Sequence, residues 1–298
     1  MKRLIVIGSG PAGISAALYT RRGGAAVTVI SKGVAYSSLY RAEKIENYYG
    51  LKKSISGKEL LARGVAGAKN IGVEFLTAEV LSLDFAADFT SFTVVTTAGD
   101  IAASAVVIAA GAKRNKLLVP QAEDFVGKGV SYCATCDAFF YRGKNVGIVG
   151  AESYAEHELR ALLPLAKSVT LFTNGENLSF TPATNVRVVT EKISGLKGEE
   201  RLTGVELNSG EIAAVDGLFI ALGTAGSTEL ARKMGIMLDK NNIKTDSDMR
   251  TNVAGIFAAG DCTGGLLQVV KAAHEGAIAG MAAVKFLRGQ DAQKSIQK

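Results

Sequence analysis

Cys133-Ala134-Thr135-Cys136 is the tetrapeptide with the most chemistry in this 298-residue chain. Two cysteines spaced by two residues can close a small, strained and therefore reducible disulfide. Asp137 follows at once. Near a dithiol a carboxylate can serve as proton donor to the departing thiolate, provided burial raises its pKa toward neutrality; the same residue could equally cap a helix start. One CxxC does not complete a zinc site. The other ligands would have to be Cys262, His157 and His274, scattered singly with no second CxxC or HxxxH, so no metal is expected. Cys262 reads as a small packing residue and the two histidines as surface or capping groups.

The elements that must carry such a site announce themselves by glycine. Leu4-Ile5-Val6-Ile7 is an apolar run suited to a parallel strand buried on both faces, and Gly8-Ser9-Gly10-Pro11-Ala12-Gly13 follows directly. Ile14 to Thr20 reads as helix and Val27-Thr28-Val29-Ile30 as a second strand, which completes a dinucleotide-binding βαβ unit. The glycines let backbone N–H groups at the helix N-terminus approach a pyrophosphate, where the helix dipole favours the anion. At the far end, Gly255 to Asp261 is another apolar strand closing on Gly260-Asp261, followed by Gly264-Gly265 and a small-residue helix from about Gln268 to Leu287. An Asp at such a strand end can accept a hydrogen bond from a cofactor hydroxyl.

A second unit of the same kind lies between them. Asn145 to Val149 reads as strand, Gly150 as turn, about Tyr154 to Leu165 as helix and Ser168 to Phe172 as strand. The expected fold class is α/β with two Rossmann-like dinucleotide-binding domains, the second inserted into the first. The first would comprise residues 1–112 and 245–298, and the inserted one 113–244.

Composition sets the outer bounds. With 48% apolar residues the chain can bury one large core or two ordinary ones, which excludes disorder, and three cysteines are too few for a secreted disulfide framework. A reducing cytoplasm is expected. Leu4 to Ile7 is too short for a signal peptide's apolar region, and the apolar stretch from Ala272 to Leu287 carries His274, Glu275 and Lys285 and is too short for a bilayer. The net charge of +6 is concentrated: residues 21–69 hold ten Lys/Arg against three Glu. Such a window is either a solvated face or a dock for an acidic partner. No nucleic-acid motif accompanies it.

Three segments together, Gly8 to Gly13, Gly129 to Tyr141 with its CATCD, and Gly255 to Gly265 with Gln268-Val269, resemble the low-molecular-weight thioredoxin reductases over essentially the whole chain. The resemblance implies an FAD domain, an inserted pyridine-nucleotide-type domain carrying the CxxC, and a homodimer. It implies that Gly8, Ser9, Gly10, Pro11, Ala12 and Gly13 hold the FAD pyrophosphate, that Gly260 and Asp261 meet the ribityl or phosphate region, and that Gln268 and Val269 meet the isoalloxazine. Asn47, in Lys44-Ile45-Glu46-Asn47-Tyr48-Tyr49-Gly50, stands where the family's Asn touches the flavin, although a proline is usual at Tyr49. The family's Gly-Gly-Gln turn is replaced by Ala35 to Leu39. Ser31 sits eighteen residues after Gly13, where many dinucleotide folds place the ribose acid, and a hydroxyl bonds there less strongly.

The inserted domain departs further. Its turn reads Gly150-Ala151-Glu152-Ser153-Tyr154-Ala155, so that Glu152 replaces the second glycine and places a side chain and a negative charge where a pyrophosphate should lie. After the second strand, Thr173 to Leu178 offers no arginine for a 2′-phosphate, where NADPH-using members have His-Arg-Arg. Poor use of NADPH is expected. The chain is in this respect similar to the ferredoxin-dependent flavin thioredoxin reductases, whose ferredoxins are typically acidic. Arg22, Lys32, Arg41, Lys52 and Lys53 are candidate contacts for one.

The expected activity is FAD-dependent reduction of thioredoxin through Cys133 and Cys136, with electrons from ferredoxin. By resemblance Cys136 faces the flavin, Cys133 attacks the substrate disulfide and Asp137 manages the proton. The same motifs would also suit a flavin-dependent dithiol oxidase using O2, an NAD(P)H-dependent reductase with an unusual nucleotide site, or a non-catalytic redox-sensing flavoprotein.

Overall fold

The computed structural model describes residues 2–87, 89–112, 116–223 and 225–296. Among them, six α-helices run Pro11–Arg22 (α1), Gly57–Asn70 (α2), Ala134–Asp137 (α3), Ser153–Leu162 (α4), Ser227–Lys233 (α5) and Val269–Ile296 (α6). The chain divides into two compact units, Met1–Lys113 with Gly226–Lys298, and Arg114–Ala225.

The first unit is built on a parallel sheet in the order Ile256–Ala258, Ala105–Ile108, Arg3–Ile7, Ala26–Ser31, Glu74–Thr77. Leu4 lies opposite Val27 on one side and Ala105 on the other. Leu4, Ile5 and Val6 are fully buried, as their unbroken apolar run requires, and each contributes on the order of 1.5–3 kcal/mol. The small residues of α6 have a packing cause. A Cβ at Gly276 would run into Ala12 O and one at Gly280 into Ala16 O, so α6 lies against α1 at backbone distance. In α2, Ser56 caps the start by accepting the Glu59 N–H at 3.1 Å.

The second unit repeats the plan with a parallel sheet in the order Val186–Val189, Ser168–Phe172, Asn145–Val149, Gly217–Ile220, Val130–Ser131. Helix α4 ends at Leu162, short of the expected Leu165: Leu163 keeps helical dihedrals, but Pro164 has no N–H with which to continue the hydrogen-bond ladder. Each unit also carries a three-stranded antiparallel sheet that the sequence reading did not anticipate: Val80–Phe85, Phe92–Thr96 and Gly99–Ala103 in the first, Ile193–Gly198, Leu202–Leu207 and Ile212–Ala214 in the second. The return to the first unit comes at Gly226, ahead of the expected 245, since Ser227 at the start of α5 donates its hydroxyl to Gly111 O at 2.8 Å. No described helix is long and apolar enough to cross a membrane.

Candidate functional site

In the first unit the strand Arg3–Ile7 ends at Gly8, whose φ of 111° and approach to Ala109 O exclude a side chain. Gly10 is the N-cap of α1, Pro11 its first residue, and Ile14 N–H donates the first helical bond to Gly10 O at 3.0 Å. No side chain caps this helix. A Cβ at Gly13 would run into Gly8 O, whereas one at Gly10 would meet only Ser37 Oγ at 3.5 Å. Gly13 thus closes the turn and Gly10 keeps its mouth open, a cradle of helix N–H groups that fits a pyrophosphate. Ser9 is buried, and Ser31, half-buried at the end of the neighbouring strand, accepts the Gly33 N–H at 3.2 Å.

The C-terminal motif meets this turn, for a Cβ at Gly260 would stand 2.8 Å from Ala12 Cβ. Asp261 opens a short 3-10 turn, Asp261–Thr263, and is half-buried. Two α6 residues that sequence reasoning missed hold the loop. Lys271 Nζ donates to Gly260 O at 2.8 Å, Thr263 Oγ1 at 2.8 Å and Gly264 O at 2.6 Å. Glu275 Oε2 accepts from Gly260 N–H and Thr263 Oγ1, both at 2.8 Å, and pairs with Lys271 at 3.0 Å. Both side chains are largely buried, at 15% and 13% exposure. Their i, i+4 spacing was the available signal, but Glu275 reads from sequence only as a charge within an apolar stretch. Ahead of α6, Gln268 Oε1 accepts from Asn47 Nδ2 at 3.1 Å, and Val269 is half-buried as the first residue of the helix.

Cys133 and Cys136 in the second unit are joined by a disulfide, with Cα atoms 5.3 Å apart. Cys133 is buried and is the N-cap of α3, its Sγ accepting the Cys136 N–H at 3.2 Å; Cys136 is exposed. Asp137 caps neither α3 nor the 3-10 turn that follows it. Its Oδ2 instead accepts from Ser131 Oγ at 2.6 Å, and that hydroxyl accepts the Cys133 N–H at 3.1 Å. Ser131, which sequence reasoning passed over, therefore links the carboxylate to the backbone of the redox pair. Burial raises the nearby Tyr141 hydroxyl above its ordinary 10.0, with the Asp137 charge as the second cause.

The second glycine turn copies the first. Gly150 N–H donates to Phe172 O at 3.0 Å as Gly8 N–H does to Ile30 O at 2.8 Å, and Gly150 abuts Ala221 O as Gly8 abuts Ala109 O. Glu152 is the exposed N-cap of α4, where α1 has Gly10. Beyond the next strand, Asn174 Oδ1 accepts the Ile193 N–H at 2.9 Å, and a cavity of about 360 Å³ is lined in part by Asn174, Glu176, Lys116 and Lys192.

Cys262 is buried, and its thiol donates to Ala259 O at 3.3 Å. Burial pushes it up to about 12. Among the described residues, no three His, Cys, Asp or Glu side chains gather into a metal-binding group. In the basic window, Arg22, Arg41, Lys52 and Lys53 are exposed, and Lys32 is half-buried. It pairs with buried Glu79 at 3.3 Å and lies over the Tyr36 ring, 5.1 Å from its centre.

Residues 2–277 match the family of pyridine nucleotide-disulphide oxidoreductases. A thioredoxin reductase of Streptomyces clavuligerus is 34% identical, over 96% of this chain and 94% of that protein. An atypical thioredoxin reductase of Desulfovibrio vulgaris Hildenborough superposes with a TM-score of 0.91 at 36% identity, covering 97% of this chain and 99% of that one. A ferredoxin-flavin thioredoxin reductase of Clostridium acetobutylicum superposes with a TM-score of 0.71 at 31% identity, with the same coverage. Two copies of a Rossmann turn, a CxxC in the second unit and these likenesses have one reading: the chain belongs to the pyridine nucleotide-disulphide oxidoreductase family, among its thioredoxin reductases, whose cofactor is FAD.

Proposed function

We propose that this protein is an FAD-dependent reductase of thioredoxin that draws its electrons from reduced ferredoxin. The observation that carries the donor assignment is Glu152 at the N-cap of α4, the position where α1 presents Gly10. A carboxylate at the mouth of that turn repels a dinucleotide pyrophosphate. The exposed cations Arg22, Arg41, Lys52 and Lys53 support an acidic protein as the alternative donor, since they would raise its encounter rate.

In this reading the Gly8–Gly13 turn would receive the FAD pyrophosphate on the N–H groups of α1. Gly260 and Asp261 would hold the ribityl or phosphate region from the loop that Lys271 and Glu275 brace, Ser31 would serve the ribose, and Asn47, Gln268 and Val269 would meet the ring system. When bound, FAD would supply two-electron reducing chemistry that one-electron donors can feed. Cleavage of the Cys133–Cys136 bond takes up two electrons and two protons, and Asp137, held beside the pair by the Ser131 hydroxyl, serves as the proton donor to the departing thiolate. Cys133, buried in the closed disulfide, becomes accessible when the reduced loop opens and as thiolate attacks the thioredoxin disulfide to form a mixed disulfide. Cys136 resolves it, which restores the Cys133–Cys136 bond and releases reduced thioredoxin. The proposed assembly is a homodimer acting in the cytoplasm.

Anaerobic titration of the flavin spectrum tests the donor. Reduced ferredoxin is expected to bleach the flavin and support thioredoxin reduction, while NADPH and NADH leave it yellow. Full turnover at micromolar NADPH would overturn the assignment.

A further inference from the structure

Helix α4 grips the backbone on both sides of Cys133. Tyr154, 2% exposed, donates its hydroxyl to Tyr132 O at 3.3 Å. Glu158, four residues later and 1% exposed, accepts the Ala134 N–H on Oε2 at 2.5 Å. Residues i and i+4 share one face of a helix, so a single face of α4 holds the residues before and after the buried sulfur.

Resting on the reading of Cys133 and Cys136 as the redox pair, we propose that Glu158 is a positioning residue that sets the reduction potential of this pair, keeping the dithiol a stronger reductant than a neutral residue there would. Reduction breaks the S–S bond, takes two electrons and passes through thiolate character on the sulfurs before two protons are bound. Among the described residues, Cys133 Sγ has one backbone donor, the Cys136 N–H at 3.2 Å. The adjacent Ala134 N–H is committed to Glu158 and withheld from the sulfur. A buried carboxylate one residue from Cys133 also repels a thiolate through a medium of low dielectric. Both effects favour the disulfide over its reduced form. A dithiol made less stable in this way passes its electrons on more readily, which suits an enzyme that must reduce another protein's disulfide.

The other acids around this loop are engaged differently. Asp137 takes the Ser131 hydroxyl, and Glu123 accepts from Tyr132 Oη at 3.4 Å while pairing with Lys116 at 3.2 Å. Among the described residues, Glu158 is the buried carboxylate bonded directly to the CxxC backbone.

The test uses the full-length FAD-loaded protein, equilibrated anaerobically at pH 7 with graded mixtures of reduced and oxidised dithiothreitol. The disulfide fraction is read by acid quench and alkylation with a mass-tagged maleimide. Wild type must titrate as a two-electron couple; absence of such a transition defeats the redox-pair reading itself, whatever Glu158 does. Glu158→Gln is expected to shift the equilibrium toward the dithiol about tenfold, an upward move of ~30 mV for two electrons. Glu158→Met, neutral and of similar length, is expected to move it the same way and serves if Glu158→Gln does not fold. Tyr154→Phe, which keeps the carboxylate, should stay within twofold of wild type. A folded, FAD-binding neutral variant with the wild-type equilibrium would overturn the proposal. So would an equal shift in Tyr154→Phe, because packing by α4 and not the carboxylate would then be the cause.

Discussion

Gly10 and Glu152 hold the same place in two copies of one turn. Each is the N-cap of the helix that follows the first strand of its unit, each has extended backbone (ψ of −178° and −179°), and neither helix receives a side-chain cap. The flanking contacts match as well, so the fold of the turn does not depend on glycine at this position. What glycine provides is room and neutrality at the mouth, and the second unit has given up both.

Replacing Glu152→Gly should therefore restore affinity without disturbing the fold. Removing a partly screened like charge is worth about 1 kcal/mol, so binding of NADPH or NADH should tighten about fivefold in a fluorescence-quenching titration. The gain should be similar for the two nucleotides, because Thr173 to Leu178 still offers no arginine to the 2′-phosphate. An unchanged Kd would show that Glu152 is not the obstacle.

The two inner glycines of the first turn should separate binding from folding. Gly10→Ala places its Cβ in ordinary contact with Ser37 Oγ at 3.5 Å and at φ −75°, so the apoprotein should keep its Tm while FAD affinity falls tenfold or more. Gly13→Ala drives a Cβ into Gly8 O and should cost about 2–4 kcal/mol of apoprotein stability, measured by urea unfolding.

Lys271→Met removes the cation from a largely buried pair and strips donors from Gly260 O, Thr263 Oγ1 and Gly264 O. Leaving the Glu275 charge behind should cost about 2–4 kcal/mol and loosen FAD retention on gel filtration. The double variant Lys271→Met with Glu275→Met should recover part of the stability. Equal loss in both would mean that the backbone bonds, and not the stranded charge, carry the cost.

Cys262 predicts a pH dependence. Burial raises its thiol from 9.0 to about 12, so in this range the folded state holds a proton that the unfolded state releases. The corresponding stability is fully present below pH 9 and is lost as pH rises toward 12. Wild type should thus destabilise more steeply than Cys262→Ala between pH 9 and 11 in denaturant titrations. After reduction of the disulfide, iodoacetamide at pH 8 should label exposed Cys136 but reach buried Cys262 only on unfolding. Parallel stability curves for the two proteins would contradict the shift.

Much of the architecture is legible in the residues because it is written locally. An apolar run such as Leu4 to Ile7, a glycine turn and a helix signal a βαβ unit within thirty positions, and CATCD carries its chemistry in five. The three-stranded antiparallel sheets escaped notice because short alternating segments such as Phe92 to Thr96 resemble ordinary loop-flanking sequence until their partners are known. The return at Gly226 escaped for the same reason, since nothing local in Ser227 names Gly111 as its acceptor.

By itself, then, the sequence determined the two Rossmann-like units, the redox cysteines, the glycine cradle and the loss of glycine at Glu152, all of which follow from residue type at fixed short spacing. Only the tertiary structure decided that Asn47 meets Gln268 across 221 positions, that Lys271 and Glu275 brace Gly260, that Asp137 accepts from Ser131 and that Lys32 pairs with Glu79. Those pairings depend on which distant backbone segments the packed core brings within hydrogen-bonding range, and a polar side chain carries no mark of its partner until that core has formed.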